Sequence, residues 1–69
     1  MIKIKIKHYI YIGVIAPYID YNNKKYWFVG NLSIRKIKFI SDNSTDFIYG
    51  YIYPGDEIYN KNSCVYIKN

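Results

Sequence analysis

The sequence predicts an all-β protein, a small single-domain barrel or curled antiparallel meander of about 5–7 short strands, SH3-like or OB-like in size. Residues 3–14, KIKIKHYIYIGV, alternate between two sets of residue types, as an extended chain with one buried face does. Ile, Val, Tyr, Phe and Trp dominate the composition, and strong helix formers are rare. Turn residues interrupt the apolar runs, so we expect residues 1–69 to form one small all-β domain.

The strands follow from the alternation. We predict them at 2–7, 9–15, 25–30, 33–40, 47–53, 57–60 and 64–67. The first two are expected to be one long strand that bends near His8, with its even positions facing the core. Those positions are Ile4, Ile6, Ile10, Ile12 and Val14. Pro17 lacks an N–H and therefore predicts an edge position or a bulge in the second strand.

Turn residues separate the strands. Asn22 and Asn23 tolerate positive φ, so they predict a hairpin tip. The polar stretch 41–46, SDNSTD, predicts a loop, and 60–63, NKNS, predicts the last turn. Pro54-Gly55 suits the centre of a type II turn at a corner of the chain.

The net charge and the counts of cysteine and histidine limit which classes of protein and which kinds of site are possible. A net charge of +5 with one arginine has two explanations, anion binding or a codon bias that favours lysine. Cys64 is the sole cysteine and His8 the sole histidine, so we expect no disulfide within the chain, no metal site and no cofactor. We expect a cytoplasmic protein (in the host cell, if viral) that does not bind membranes. Homodimer formation is one way to stabilise so small a core.

The odd face of the N-terminal segment is the first candidate binding surface. Its members are Lys3, Lys5, Lys7, Tyr9 and Tyr11. Lys36 and Lys38 would widen this face if their strand lay alongside. Lysines neutralise phosphates and exposed tyrosines stack on bases. The alternative is a solvated face whose lysines protect an edge from aggregation.

The stretch 47–53, FIYGYIY, is the second candidate. One face carries an aromatic ladder of Phe47, Tyr49, Tyr51 and Tyr53. If Ile48 and Ile52 point inward, this ladder is exposed and could bind a protein or single-stranded nucleic acid. In the alternative arrangement the aromatic rings fill the core, and the isoleucines pack at an edge or a dimer seam.

Catalysis has little support in the sequence. His8 shares the even face with isoleucines and is expected to be a hydrogen-bonded residue at the rim of the core, so we assign no catalytic residue and do not expect an enzyme. A ribonuclease without histidine would depend on residues such as Arg35, Lys36 and Lys38. Residues 11–33, YIGVIAPYIDYNNKKYWFVGNLS, resemble the early hairpin of the type III toxin–antitoxin endoribonucleases, which implies a small endoribonuclease toxin as a distant alternative.

The function that these patterns favour is a non-catalytic binding module. We expect an inhibitor or adaptor of the phage, virus or mobile-element type, which docks on a protein or a nucleic-acid-processing complex through a Tyr-rich, Lys-flanked surface. The alternative is a β-barrel that binds nucleic acid directly through its Lys/Tyr face. The single arginine weighs against that alternative, because arginine is the preferred reader of phosphate and guanine.

Overall fold

Seven strands make up the fold in the computed structural model, which describes residues 1–68. They are β1 (Ile2–Lys5), β2 (Lys7–Tyr11), β3 (Val14–Tyr21), β4 (Lys24–Asn31), β5 (Lys36–Ser41), β6 (Phe47–Tyr51) and β7 (Cys64–Ile67). All pair antiparallel in one sheet of order β1-β7-β6-β5-β4-β3-β2. The sheet curls into a half-barrel, and residues 1–68 contain no helix. The predicted all-β class and curled antiparallel meander are confirmed.

β1 and β2 lie at opposite ends of the sheet order, although only Ile6 separates them in the sequence. β1 pairs with β7, and β2 pairs with β3. Ile6 is buried, and its N–H donates to the carbonyl of Ser63 at 2.9 Å. The long N-terminal strand therefore bends as predicted, but it does so at Ile6 instead of near His8.

The core lies on the inner side of the curled sheet. Its buried side chains are Ile6, Ile19, Tyr26, Ile37, Phe39, Ile58, Val65 and Ile67. Cross-strand pairing places Phe28, Phe39 and Ile48 in one inner row. Complete burial of one such side chain contributes about 1.5–3 kcal/mol, so a few residues determine whether this small core holds.

Three predicted turns are present. Asn22 and Asn23 form the tip of the β3–β4 hairpin with φ of 57° and 62°. The N–H of Asp56 donates to the carbonyl of Tyr53 at 3.0 Å, and Gly55 has a φ of 97°, so Pro54-Gly55 forms the expected type II turn. Residues 60–63 form the turn before β7.

The polar loop between β5 and β6 is organised around one buried hydroxyl. The Oγ of Ser41 accepts from the N–H groups of Thr45 and Asp46 at 3.2 and 3.0 Å, and donates to Oδ1 of Asn43 at 2.7 Å. These bonds fix the conformation of the loop that joins β5 to β6, the strand that carries the aromatic ladder.

The predicted strands are wrong at several places. The strand 2–7 is broken at Ile6, the strand 47–53 ends at Tyr51, and most of β3 falls outside the predicted ranges. Residues 9–15 are not one strand, because Ile12 and Gly13 form a two-residue turn with φ of 47° and 76°. Residues 57–60 form a turn closed by the N–H of Asn60 and the carbonyl of Glu57, and Ile58 within it is part of the core. The strand predicted at 33–40 starts at Lys36.

The turn at Ile12 also overturns part of the predicted core face. Ile10, Ile12 and Val14 were expected to be buried, but they are 67%, 83% and 65% exposed. Beyond His8 the chain leaves the core, so the β2–β3 hairpin has solvent on both of its faces at the tip.

At Pro17, β3 pairs with β2 but not with β4. Pro17 is opposite His8 of β2, whereas the registered pairs between β3 and β4 start at Tyr18. In a two-residue hairpin the residues that flank the turn form a hydrogen-bonded pair, and the pairs then alternate. Pro17 therefore occupies a non-hydrogen-bonded position with respect to β2, and the missing N–H costs no bond in the ladder. β3 as a whole is an interior strand between β2 and β4, so the predicted edge position is wrong for the strand and holds only for the unpaired β4 side of Pro17.

The conformation of Ile12 leads to a stability prediction. A β-branched residue with positive φ is strained, whereas Asn-Gly is the preferred pair for this turn. Ile12→Asn is therefore expected to raise the free energy of unfolding by about 1 kcal/mol, measured by urea denaturation. Val14→Asn, at an exposed strand position beside the turn, is the control and should not stabilise the protein. An Ile12→Asn protein that is no more stable than the parent would contradict the strain.

A candidate binding face on the outer side of the sheet

The side of the sheet away from the core carries a continuous set of aromatic and lysine side chains. Cross-strand register places Tyr18, Trp27, Ile40 and Phe47 directly opposite one another on β3 to β6. Directly opposed residues of a sheet share a face. Lys7 of β2 lies opposite Tyr18 in turn, so this first row crosses five strands on the outer side.

A second row crosses four strands of the sheet, two of which, β5 and β6, also carry the first row. It consists of Lys36, Tyr51, Tyr66 and Lys3 on β5, β6, β7 and β1. The pair Lys38 and Tyr49 lies between the two rows. We name the whole set the outer face: Lys3, Lys7, Tyr18, Trp27, Lys36, Lys38, Ile40, Phe47, Tyr49, Tyr51 and Tyr66.

The charge on this part of the sheet has one sign. Strands β1, β5, β6 and β7 contain four lysines and no aspartate or glutamate. Two of the five carboxylates are bound elsewhere, in the ion pairs Lys7–Asp20 and Lys24–Asp46. The outer face of these four strands is therefore both aromatic and positively charged.

Lysine ammonium groups lie over the rings of this face. Nζ of Lys36 is 4.8 Å from the centroid of the Tyr49 ring, and Nζ of Lys38 is 4.1 Å from that of Phe47. Each exposed cation–π contact is worth about 0.5–1 kcal/mol. The contacts hold the lysine side chains against the rings, and a partner that stacks on these ring faces must displace them.

Trp27 forms an ordered centre at the β3–β4 end of the outer face. Its Nε1 donates to Oδ1 of Asp42 at 2.7 Å. The Tyr18 ring lies 5.0 Å from it and the Tyr9 ring 6.3 Å, the latter edge-on. Nζ of Lys25 lies over both Tyr18 and Trp27. The indole is thus fixed in orientation while part of its surface stays accessible.

The aromatic ladder of residues 47–53 has the orientation that exposes it. Phe47, Tyr49 and Tyr53 are exposed and Tyr51 is half-buried, whereas Ile48 and Ile52 pack against the core. Tyr53 lies beyond the end of β6, where its ring contacts Tyr66 at 4.7 Å. The alternative in which these rings fill the core is wrong.

The predicted Lys/Tyr face is divided by the bend at Ile6. Lys3 and Lys5 lie on β1, and Lys7, Tyr9 and Tyr11 lie on β2 at the other end of the sheet order. All five are exposed. Lys7 donates a hydrogen bond to Asp20 at 2.8 Å, which raises the pKa of its ammonium group. This pair forms at pH values below the ordinary lysine pKa and is lost as the pH rises through the raised one.

Lys36 and Lys38 do not extend that face from a neighbouring strand. Their strand, β5, lies between β4 and β6, so β6 and β7 separate it from β1. The lysines lie instead beside the aromatic ladder, and Lys36 connects with Lys3 through Tyr51 and Tyr66. The sequence predicted two separate patches. In the structure, Tyr66 connects Lys3 on one side with Tyr51 and Lys36 on the other. Tyr66 was not among the predicted site residues.

His8 is engaged with the backbone. Its Nε2 lies 2.7 Å from the carbonyl oxygen of Ile58, and since a carbonyl only accepts, Nε2 is the donor. Within residues 1–68, no three His, Cys, Asp or Glu side chains cluster in a way that could hold a metal ion. The described part of the chain also has no helix long and apolar enough to cross a membrane.

No protein-family model, curated protein sequence or solved structure matches this chain.

Proposed function

We propose that this protein is a non-catalytic binding module that docks on an acidic protein surface through its outer face and acts there as an inhibitor or adaptor. The observation that carries the proposal is the composition of four neighbouring strands, which present exposed aromatic rings and four lysines without a carboxylate. Tyrosine and tryptophan supply large, stiff contact area and are enriched at binding hot spots. The lysines beside these rings complement a negatively charged partner.

A protein partner fits this face better than a nucleic acid. Proteins that bind single strands combine a positively charged groove with bare ring faces on which bases stack, whereas the outer side of a curled sheet is convex. Lys36 and Lys38 also lie over the rings of Tyr49 and Phe47. A carboxylate of a protein partner can pair with these ammonium groups without removing them from the rings.

Direct nucleic-acid binding is the second candidate, and one observation favours it. The row Lys36, Tyr51, Tyr66 and Lys3 alternates charge and aromatic surface over a distance that several phosphates of one strand could follow. In this reading the lysines neutralise phosphates and the tyrosines contact bases.

Two measurements test the proposal. Protein captured from cell extract on the immobilised protein is expected to be lost with Lys38→Glu and kept with the control Lys61→Glu, which makes the same charge change in the turn before β7. Fluorescence anisotropy with labelled DNA and RNA, from about 50 to 200 mM salt, is expected to show no tight binding.

Two results would reject protein docking at this face. One is equal capture by the parent and by Lys38→Glu. The other is tight oligonucleotide binding whose logarithm falls linearly with the logarithm of salt concentration, because that slope counts phosphate contacts.

A further inference from the structure

The tip of the β2–β3 hairpin carries a cluster of exposed apolar side chains. Six large side chains on either side of Gly13 are between 44% and 83% exposed. They are Tyr9, Ile10, Tyr11, Ile12, Val14 and Ile15. Monomeric proteins rarely expose contiguous apolar patches of more than a few hundred Å², and larger ones mark interaction sites.

One edge of this hairpin is open to a further strand. Tyr11 and Val14 flank the turn and Ile10 lies opposite Ile15, so the hydrogen-bond alternation of a two-residue hairpin points the N–H and C=O of Ile10 away from β3. β2 is the last strand of the sheet order. The backbone groups of Ile10 are therefore available for antiparallel pairing.

The edge of β2 is complementary to itself. In an antiparallel pair centred on Ile10, each Ile10 faces the other, and Tyr9 of each copy faces Tyr11 of the other. No like charges meet, and the aromatic pairs each add about 0.2–1 kcal/mol to a sheet. Strand β1 lacks this self-complementarity. If β1 paired with β1 of a second copy on matching faces, Lys3 or Lys5 would lie beside a lysine of that copy. Such repulsion between lysines is a known way in which proteins protect sheet edges from pairing.

We propose that the β2 edge of this hairpin pairs with the β2 edge of a second copy of the chain, which gives an isologous antiparallel dimer with a continuous sheet. In this dimer Tyr9 and Tyr11, both exposed in the single chain, would be covered by Tyr11 and Tyr9 of the second copy. Ile12 supports the same conclusion, because a strained, apolar residue stands where asparagine would satisfy the turn. The dimer does not rest on the proposed docking function, although the Tyr9 ring of the β2 edge contacts Trp27 of the outer face.

Sedimentation from micromolar to millimolar protein tests the dimer. The parent is expected to shift from monomer to dimer. Ile10→Lys should raise the dissociation constant by about tenfold or more, because the two introduced charges lie opposite each other. Ile34→Lys is the matched control, since Ile34 is equally apolar and 93% exposed in the β4–β5 loop, and it should leave the dissociation constant unchanged.

Amide hydrogen exchange of the parent gives an independent readout of the same edge. The N–H of Ile10 should exchange more slowly as the protein concentration rises, whereas that of Ile15, which points to the other side of the hairpin, should not. A monomer throughout the concentration range would overturn the proposal. So would a dimer that is unaffected by Ile10→Lys or that leaves the exchange of Ile10 unchanged.

Discussion

Gly50→Ala is expected to destabilise the protein by about 2 kcal/mol, because the inner face of β6 has no room for a methyl group. A Cβ at Gly50 would lie 2.3 Å from Cγ2 of Val65, 3.2 Å from Phe39 and 3.3 Å from Ile67. All three neighbours are core residues with at most 4% exposure. Urea denaturation should show the loss as a lower midpoint with an unchanged slope.

The matched control for this substitution is Gly30→Ala. Gly30 also lies in a strand, but a Cβ there meets no atom within 4 Å, so the change should be neutral or slightly stabilising through the entropy of the unfolded chain. The double variant Gly50→Ala/Val65→Ala should be less destabilised than the sum of its single variants by about 1 kcal/mol. Strict additivity, or an equal loss for Gly30→Ala, would refute the close packing of β6 on β7.

The orientation of β6 could be predicted from the sequence because it depends on local alternation. Aromatic residues at 47, 49 and 51 alternate with Ile48 and Gly50, and a domain of this size cannot bury both sets. Gly50 lies on the inner side with Ile48, where the Val65 side chain fills the space beside it.

The turn at Ile12-Gly13 could not be predicted from the same kind of pattern. The alternation of the N-terminal segment continues through it, and isoleucine is among the residues least suited to positive φ. Only Gly13 marks the position, and one glycine in a strand indicates a bulge as well as a turn. Because this turn is not predicted, Ile10 and Val14 are wrongly assigned to the core face, which ends near His8.

The strand order could not be predicted from the sequence for a different reason. Neighbouring hairpins can be read from turn residues, but the pairing of β1 with β7 joins the two ends of the chain. Lys3 and Lys36 share a row only because β6 and β7 stand between their strands. The two candidate patches were therefore found from local patterns, whereas their combination into one face depends on long-range register.

Tyr49→Ala is expected to weaken binding of a captured protein partner by about 2 kcal/mol, a loss typical of a buried aromatic anchor. Tyr49 lies at the centre of the outer face, opposite Lys38 and under the ammonium group of Lys36. Its removal takes away the ring and also releases Lys36 from the position in which it would meet a carboxylate. Isothermal titration calorimetry with the captured partner measures the change.

The control for Tyr49→Ala is Tyr59→Ala. Tyr59 is also exposed, but its ring contacts Phe28 on the core side of the sheet, so the affinity should change by less than about 0.5 kcal/mol. Lys36→Ala should have a smaller effect than Tyr49→Ala and act mainly on the association rate and its salt dependence. An equal loss of affinity in Tyr59→Ala, or none in Tyr49→Ala, would place the docking surface elsewhere, because a partner seated on the outer face cannot avoid its central ring.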